Sequence, residues 1–206
     1  MTEPQPSTPR LVDLADTGSV AVAVDVLTSA FTGDPVMHWV FPGAAAHVRS
    51  LHTWWELMLS MQRAGAEVWL SPASSTAALW RAPVFESPEP DPAARDRFVE
   101  VVAGLVGDRA EEVFGFFARI GEAHPAEPHW YLAAVGTMPE HQGTGAGAAI
   151  LAPVLARCDA EGLPAYLESS NPRNVPFYHR LGFAETGTLT TPDSAATMTL
   201  MWRTPR

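Results

Sequence analysis

An apolar run, Trp130 to Val135, passes through a short polar turn, Met138–Gln142, into three alternating glycines, Gly143, Gly145 and Gly147, that open an apolar helix. This strand–turn–helix unit constrains the chain more than any other stretch. A glycine-rich turn at a helix start presents several main-chain N–H groups to one point, and the helix dipole adds partial positive charge there. The unit therefore reads as a cradle for a phosphate or pyrophosphate. Charge sharpens the point: the chain has 206 residues and a net charge of −10, and all 13 of its basic residues are Arg. An acidic surface argues against nucleic acid and anionic membranes as partners. Any phosphate must then be held by local main-chain donors, and the second substrate is expected to be neutral or cationic.

The remaining elements follow from periodicity and punctuation. Residues 1–9 read as a polar tail and residues 10–206 as one domain. Arg10–Leu14 is a short strand. From Asp16 to Phe31 the valines 20, 22, 24 and 26 alternate like a strand, while Val20, Val24, Leu27 and Phe31 share a helical face. The Asp16-Thr17 cap and the length favour a helix, ended by Gly33-Asp34-Pro35. A second helix is expected from Ala45 to Arg63. Glu67–Leu70 and Ala77–Ala82 form a hairpin, and the proline-broken, acidic stretch 83–92 is an irregular loop. A helical region, Ala93–Ala123, breaks near Gly107-Asp108. Then come a strand (Trp130–Thr137), a helix (Thr144–Glu161), a strand (Ala165–Ser169), a short helix (Asn174–Leu181) and two strands, Phe183–Thr190 and Ala196–Arg203. This order gives a mixed α/β (α+β) fold on one sheet, largely antiparallel outside a central β-α-β unit. Cys158 is the only cysteine, which excludes an internal disulfide and a cysteine-rich metal site. His38, His47 and His52 make no recognisable metal set. The polar N-terminus and the lack of a long apolar run point to a cytoplasmic protein that neither spans nor enters a membrane.

Three glycine motifs compete for the turn. A P-loop requires a Lys after its last glycine, and the chain has none. A dinucleotide fingerprint matches Gly143, Gly145 and Ala148, but it should follow its strand directly, and here Met138–Gln142 intervene. The third pattern, Gln/Arg-x-x-Gly-x-Gly/Ala, is met by Gln142, Gly145 and Gly147. It resembles the acyl-coenzyme-A motif of the GNAT superfamily of N-acetyltransferases. The later segment, Asn171 through Tyr178 to Gly182-Phe183, resembles a second signature of that superfamily. Between about Pro128 and Gly187 the chain is similar to the puromycin-type acetyltransferases and their actinobacterial relatives; the first half resembles them only loosely. A simple tight turn is the plain alternative for the three glycines.

The resemblance implies a GNAT fold, with a single, mainly antiparallel sheet of about six to seven strands flanked by helices. It also implies acetyl-CoA as cosubstrate and no metal. The main chain of Gly143, Thr144, Gly145, Ala146, Gly147 and Ala148, introduced by Gln142, would cradle the pyrophosphate. Val135, Gly136 and Thr137 would pair with the pantetheine amides, and Gly136 fits a bulge that frees an N–H for the oxyanion; an ordinary strand-end glycine is the alternative. Asn174 and Tyr178, spaced i, i+4, share a helix face. Asn174 would cap the helix or touch the cofactor. Tyr178 would assist the departing thiolate, unless it is a core tyrosine bonded to a carbonyl. Glu168 is the best-placed general base by resemblance, with His129, His179, Asp34 and water left open. Pro153 inside the motif helix suggests a kink.

For the acceptor, Asp34 could hold a cationic amine and Trp39 could stack on it; a helix-stop turn and a core tryptophan are the alternatives. Trp54 and Trp55 read as core and rim. The expected activity is acetyl transfer to a primary amine of a small molecule, an aminonucleoside or other antibiotic-like amine, by a monomer or homodimer. A protein or peptide N-acetyltransferase and a non-catalytic acyl-CoA sensor are the rival readings.

Overall fold

The computed structural model describes residues 8–61, 65–83 and 91–206. Seven strands, β1 (Arg10–Leu11), β2 (Ala66–Leu70), β3 (Thr76–Arg81), β4 (Trp130–Thr137), β5 (Ala165–Ser169), β6 (Ala184–Thr190) and β7 (Thr197–Arg203), form one sheet in the order β1-β2-β3-β4-β5-β7-β6. Every neighbouring pair is antiparallel except β4–β5, the pair joined by a crossover helix. The expected mixed sheet with a central β-α-β unit is what the chain forms.

Helix α1 (Thr17–Phe31) starts where the Asp16 carboxylate accepts from the Gly18 amide at 3.1 Å. Its buried stripe of Ala23, Val24, Val26 and Leu27 packs on the sheet, so the valine alternation belongs to a helix. The Gly33-Asp34-Pro35 stop is also a start. Asp34 caps a short helix, α2 (Pro35–Val40), with proline at its first position, where a missing N–H costs nothing. Sequence periodicity overlooks α2 because six residues are too few to show a period. Helix α3 (Ala44–Ser60) is tied to both predecessors by buried His47, whose Nδ1 meets the Phe41 carbonyl at 2.8 Å and whose Nε2 meets that of Thr32 at 3.2 Å. Helices α4 (Pro92–Val106) and α5 (Ala110–Ala123) are divided by a 3₁₀ turn at Gly107–Arg109, as the Gly107-Asp108 break predicts. Most of the anticipated loop 83–92 and of the N-terminal tail lies outside the described residues, as does the end expected for α3 at Arg63.

Two cores flank the sheet. Helices α1–α5 close over one face, packing Leu27, Leu51, Val102 and Phe116 against Val68, Leu79 and Ala134. On the other face, α6 (Ala146–Glu161) and α7 (Val175–Arg180) bury Ile150, Leu151, Val154 and Tyr178 against Trp80, Leu132, Leu167 and Met201. Among the described residues no helix is long and apolar enough to cross a membrane.

Candidate active site

Strands β4 and β5 pair only at Trp130 with Ala165 and Tyr131 with Tyr166. Beyond that point they part, and β4 keeps a partner on the β3 side alone. The cause is local. Against β3, Leu79 faces Ala134 while Trp80 faces Leu132, so Ala133 is an extra residue with no opposite number. A bulge of this kind bends its strand and raises the local twist. It also resets the side-chain alternation: Ala133 and Ala134 both lie on the side of the α1–α5 core, whereas Leu132 and Val135 belong to the α6 side. The splayed edge leaves β4 beyond Tyr131 without a β5 partner, open to an extended amide-bearing arm. The bulge expected at Gly136 is therefore at Ala133. Gly136 pairs regularly with Ala77, and its role is steric: a Cβ there would stand 2.6 Å from the Ala30 Cβ and 3.3 Å from the Phe31 ring. The strand can approach α1 this closely only without a side chain. Gly136→Ala is expected to destabilise the fold by about 1–3 kcal/mol, seen as a lower Tm; an unchanged melt would refute the close approach.

The glycine turn lies at the end of this edge. Gln142 Nε2 donates to the Thr137 carbonyl at 3.1 Å and Thr144 Oγ1 to that of His141 at 2.8 Å, folding the loop onto itself. Gly143 and Gly145 have φ of +75° and +88°, with open space where a Cβ would be, so backbone conformation rather than crowding calls for glycine at both. Helix α6 begins at Ala146, two residues later than its sequence suggests, and no side chain caps it. The first amides of a helix have no intrahelical acceptor, so those of Ala146, Gly147 and Ala148 point outward from an exposed turn. Gly147 lets α6 sit against Phe177, whose ring would be 3.4 Å from a Cβ. The helix continues through Pro153 to Glu161.

Between the α1–α5 layer and the splay is a cavity of about 910 Å³. Phe31, Trp54, Trp55, Phe98, Phe117 and Tyr131 give it an aromatic wall, while Glu168, Ser170 and Tyr178 supply polar groups. Trp54 and Trp55 thus serve both core and cavity. Phe31, Phe98 and Phe117 were legible only as helix-face residues, because nothing in their spacing shows that three separate helices bring them together.

Tyr178, on α7, is 7% exposed; burial first, and the nearby Asp34 charge second, push its phenol well above the usual range, so it remains a proton donor. Asn174 lies on the cavity rim. It offers no side-chain cap to α7; Asn171 does the local capping instead, accepting from the Arg173 amide at 3.1 Å. The proposed acceptor pair does not line the cavity. Asp34 is buried behind the wall, where Oδ1 accepts from the Val36 and Met37 amides at 3.0 Å and Oδ2 from the Ser170 hydroxyl. Burial raises its pKa in spite of these donors. Trp39 packs edge-on against Phe116, at 5.2 Å, and beneath the Arg109 guanidinium, at 4.8 Å, so its cation is internal. The helix-stop and core alternatives fit both residues better.

Glu168 projects from β5 into the cavity wall with 3% of its side chain exposed. His124, at the end of α5, places Nδ1 3.5 Å from Oε1. Its Nε2 lies 3.0 Å from His129 Nε2, and His129 Nδ1 lies 2.5 Å from the Glu127 carbonyl. Tyr131 and Tyr166 crowd the same carboxylate; burial and its charge push both phenols up. Burial lowers the pKa of His129. His179 is elsewhere, paired with Glu185 at 3.1 Å on the surface. Sequence reading had no signal for His124, which tertiary packing alone brings to Glu168, Tyr131 and Tyr166.

A splayed strand edge leading to an uncapped helix start is suited to a long carrier with amides in its arm and a diphosphate at its end, and the cavity meets that edge from the opposite side. Such an arrangement fits the carrier side of an acyltransferase that works from a coenzyme A thioester. The chain belongs to the acetyltransferase (GNAT) family, whose sequence profile matches residues 68–183, and enzymes of that family use acetyl-CoA. An uncharacterised N-acetyltransferase of Schizosaccharomyces pombe is 30% identical over 128 residues, 58% of this chain and 47% of that protein, so the chain spans about half the length of this curated relative. A crystal structure described as histone acetyltransferase HPA2 and related acetyltransferase, from Corynebacterium glutamicum, is 26% identical with a TM-score of 0.70, over 97% of this chain and 96% of that one. The polyamine N-acetyltransferase of Drosophila melanogaster shares the fold, with 15% identity and a TM-score of 0.61 over 96% of this chain and 99% of that one.

Proposed function

We propose that the protein transfers the acetyl group of acetyl-CoA to a primary amine of a small molecule by direct attack. The observation that carries this reading is the aromatic-walled cavity, which meets the splayed β4 edge beside Tyr178. In the proposed reaction the pyrophosphate rests on the amides following Gln142, and the pantetheine arm pairs along Val135–Thr137. The neutral amine attacks the thioester carbon, a C–N bond forms, and the C–S bond breaks as the tetrahedral intermediate collapses. Tyr178 hydrogen-bonds the departing sulfur, and Glu168 takes up the amine's proton. Flat ring surfaces suit an acceptor with a planar body, and the resemblance of residues 128–187 to the puromycin-type enzymes supports an aminonucleoside and a role in antibiotic resistance in the cytoplasm.

Calorimetry with acetyl-CoA, followed by thiol release over a panel of amines, tests the reading. Binding and turnover with small amines are expected. Gly145→Asp, which puts a carboxylate in the cradle at a left-handed φ, should weaken acetyl-CoA at least about tenfold. Absence of binding to the wild type, or acetylation of peptides alone, overturns the proposal.

A further inference from the structure

The two imidazoles behind Glu168 are arranged so that their hydrogen-bond partners dictate where the protons sit. The Glu127 carbonyl can only accept, so His129 Nδ1 carries a hydrogen. In the neutral ring His129 Nε2 is then bare, and the 3.0 Å contact is made only if His124 Nε2 donates. Neutral His124 is consequently bare at Nδ1, and that lone pair faces the Glu168 carboxylate at 3.5 Å. Two acceptors cannot bond each other. The last link closes only when the Glu168–His124 pair shares one proton.

We infer that Glu168, His124 and His129 form a proton relay that strips the ammonium proton from the acceptor amine and carries it out of the cavity. The inference rests on the N-acetyltransferase reading and adds to it the path of the proton. An alkylamine with a lysine-like pKa of about 10.4 is neutral at pH 7 in only about one molecule in 2,500. The ammonium N–H gives its proton to Glu168. The proton already shared by the pair passes fully to His124 Nδ1, and the His124 Nε2 hydrogen passes to His129 Nε2, leaving His129 as the imidazolium. One proton enters, one moves across each link, and the amine keeps its electron pair for the thioester carbon. His129 is the exit: its ring is buried, which disfavours the charged form, and the chain beside it, residues 126–128, is exposed. The other groups facing the relay cannot take its place. Tyr131 and Tyr166 hold their protons too tightly, the Arg81 guanidinium lies over Tyr131 at 5.8 Å, and Trp202 covers His129 without titrating. Glu168 is the catalytic residue of the three; His124 and His129 act through it.

Glutamine keeps a hydrogen bond at either imidazole position but cannot pass a proton on. Wild type, His124→Gln and His129→Gln are compared in kcat/KM for the amine from pH 6 to 10, alongside acetyl-CoA calorimetry and thermal melts. Each variant is expected to lose at least about tenfold at pH 7 and to recover part of that loss as pH nears the amine's own pKa, because an amine that arrives neutral leaves the relay only the proton released on attack. Acetyl-CoA affinity should stay within about twofold, and added imidazole should partly restore His129→Ala. A loss of equal size at every pH makes the histidines structural and overturns the relay, as does an undiminished rate. Should one variant fail to fold, the other and Glu168→Gln carry the same comparison. If the wild type neither binds acetyl-CoA nor acetylates any amine, the N-acetyltransferase reading has failed; if it does both and the profiles run parallel, only the relay has.

Discussion

Tyr178→Phe is expected to lower turnover at least tenfold, and up to about a hundredfold, while acetyl-CoA affinity moves by no more than about twofold. The side chain is 7% exposed and its phenol is raised far above the usual tyrosine range by burial and by the Asp34 charge behind it. A group so reluctant to ionise keeps its hydrogen at every working pH. A free thiol has a pKa near 8.5, so the leaving sulfur is a much weaker base than this phenolate. In the proposed reaction Tyr178 would therefore stabilise the departing thiolate mainly by hydrogen bonding. At a side chain this buried such a bond counts for more than it would in water, because less solvent competes for it. Phenylalanine keeps the ring and its packing against Phe177 and Phe183, at 5.1 and 6.0 Å, and removes only the donor. Single-turnover rates with calorimetry on the same preparation make the measurement. Turnover equal to the wild type would take Tyr178 out of the chemistry.

Asp34→Ala should be the most destabilising of the site substitutions, costing about 2–3 kcal/mol and a correspondingly lower Tm. Alanine strands the Val36 and Met37 amides at the start of α2, worth about 1 kcal/mol as a lost cap. It also leaves the Ser170 hydroxyl without its acceptor, a further 1–2 kcal/mol or so. Ser170 stands just beyond the end of β5, close to Glu168, so activity should fall with stability. Asp34→Asn is the discriminating control, because its carbonyl can still cap and its amide can meet Ser170. The carboxyl's raised pKa means that the folded protein holds this proton more tightly than the unfolded chain. Its contribution therefore favours the fold at acid pH and is lost as pH rises from the ordinary carboxylate range through the raised value. The asparagine variant should accordingly gain on the wild type across that interval. Equal pH dependence in paired melts would show that the Asp34 carboxyl is not desolvated in the folded protein.

The elements that were legible in the sequence carry their own signals. Asp16 before an apolar stripe and the break at Gly107 each fixed an end of a helix, because capping is a contact between near neighbours in the chain. The Ser-rich turn joining β2 to β3 is local in the same way. The misreadings have a common origin. The bulge at Ala133 is a relation between β4 and β3, and Ala133 looks like any other apolar strand residue. Asp34 and Trp39 have the right chemistry for an acceptor site, but α2 turns them inward. His124 carries no motif, and only tertiary packing brings it to Glu168 beside the Tyr131–Tyr166 pair.

The sequence by itself determined the glycine turn, since the left-handed glycines at 143 and 145 and the uncapped start of α6 are consequences of residue type over a few positions. It also determined the two-sided burial of β4 and the helix that follows. Which aromatic rings wall the cavity, where the sheet opens and which groups surround Glu168 were decided only by tertiary packing. Those relations join α1, α3, α4, α5, β4 and β5 across separations far longer than any cap or turn. They exist because apolar faces that cannot be matched within one element must be buried against another.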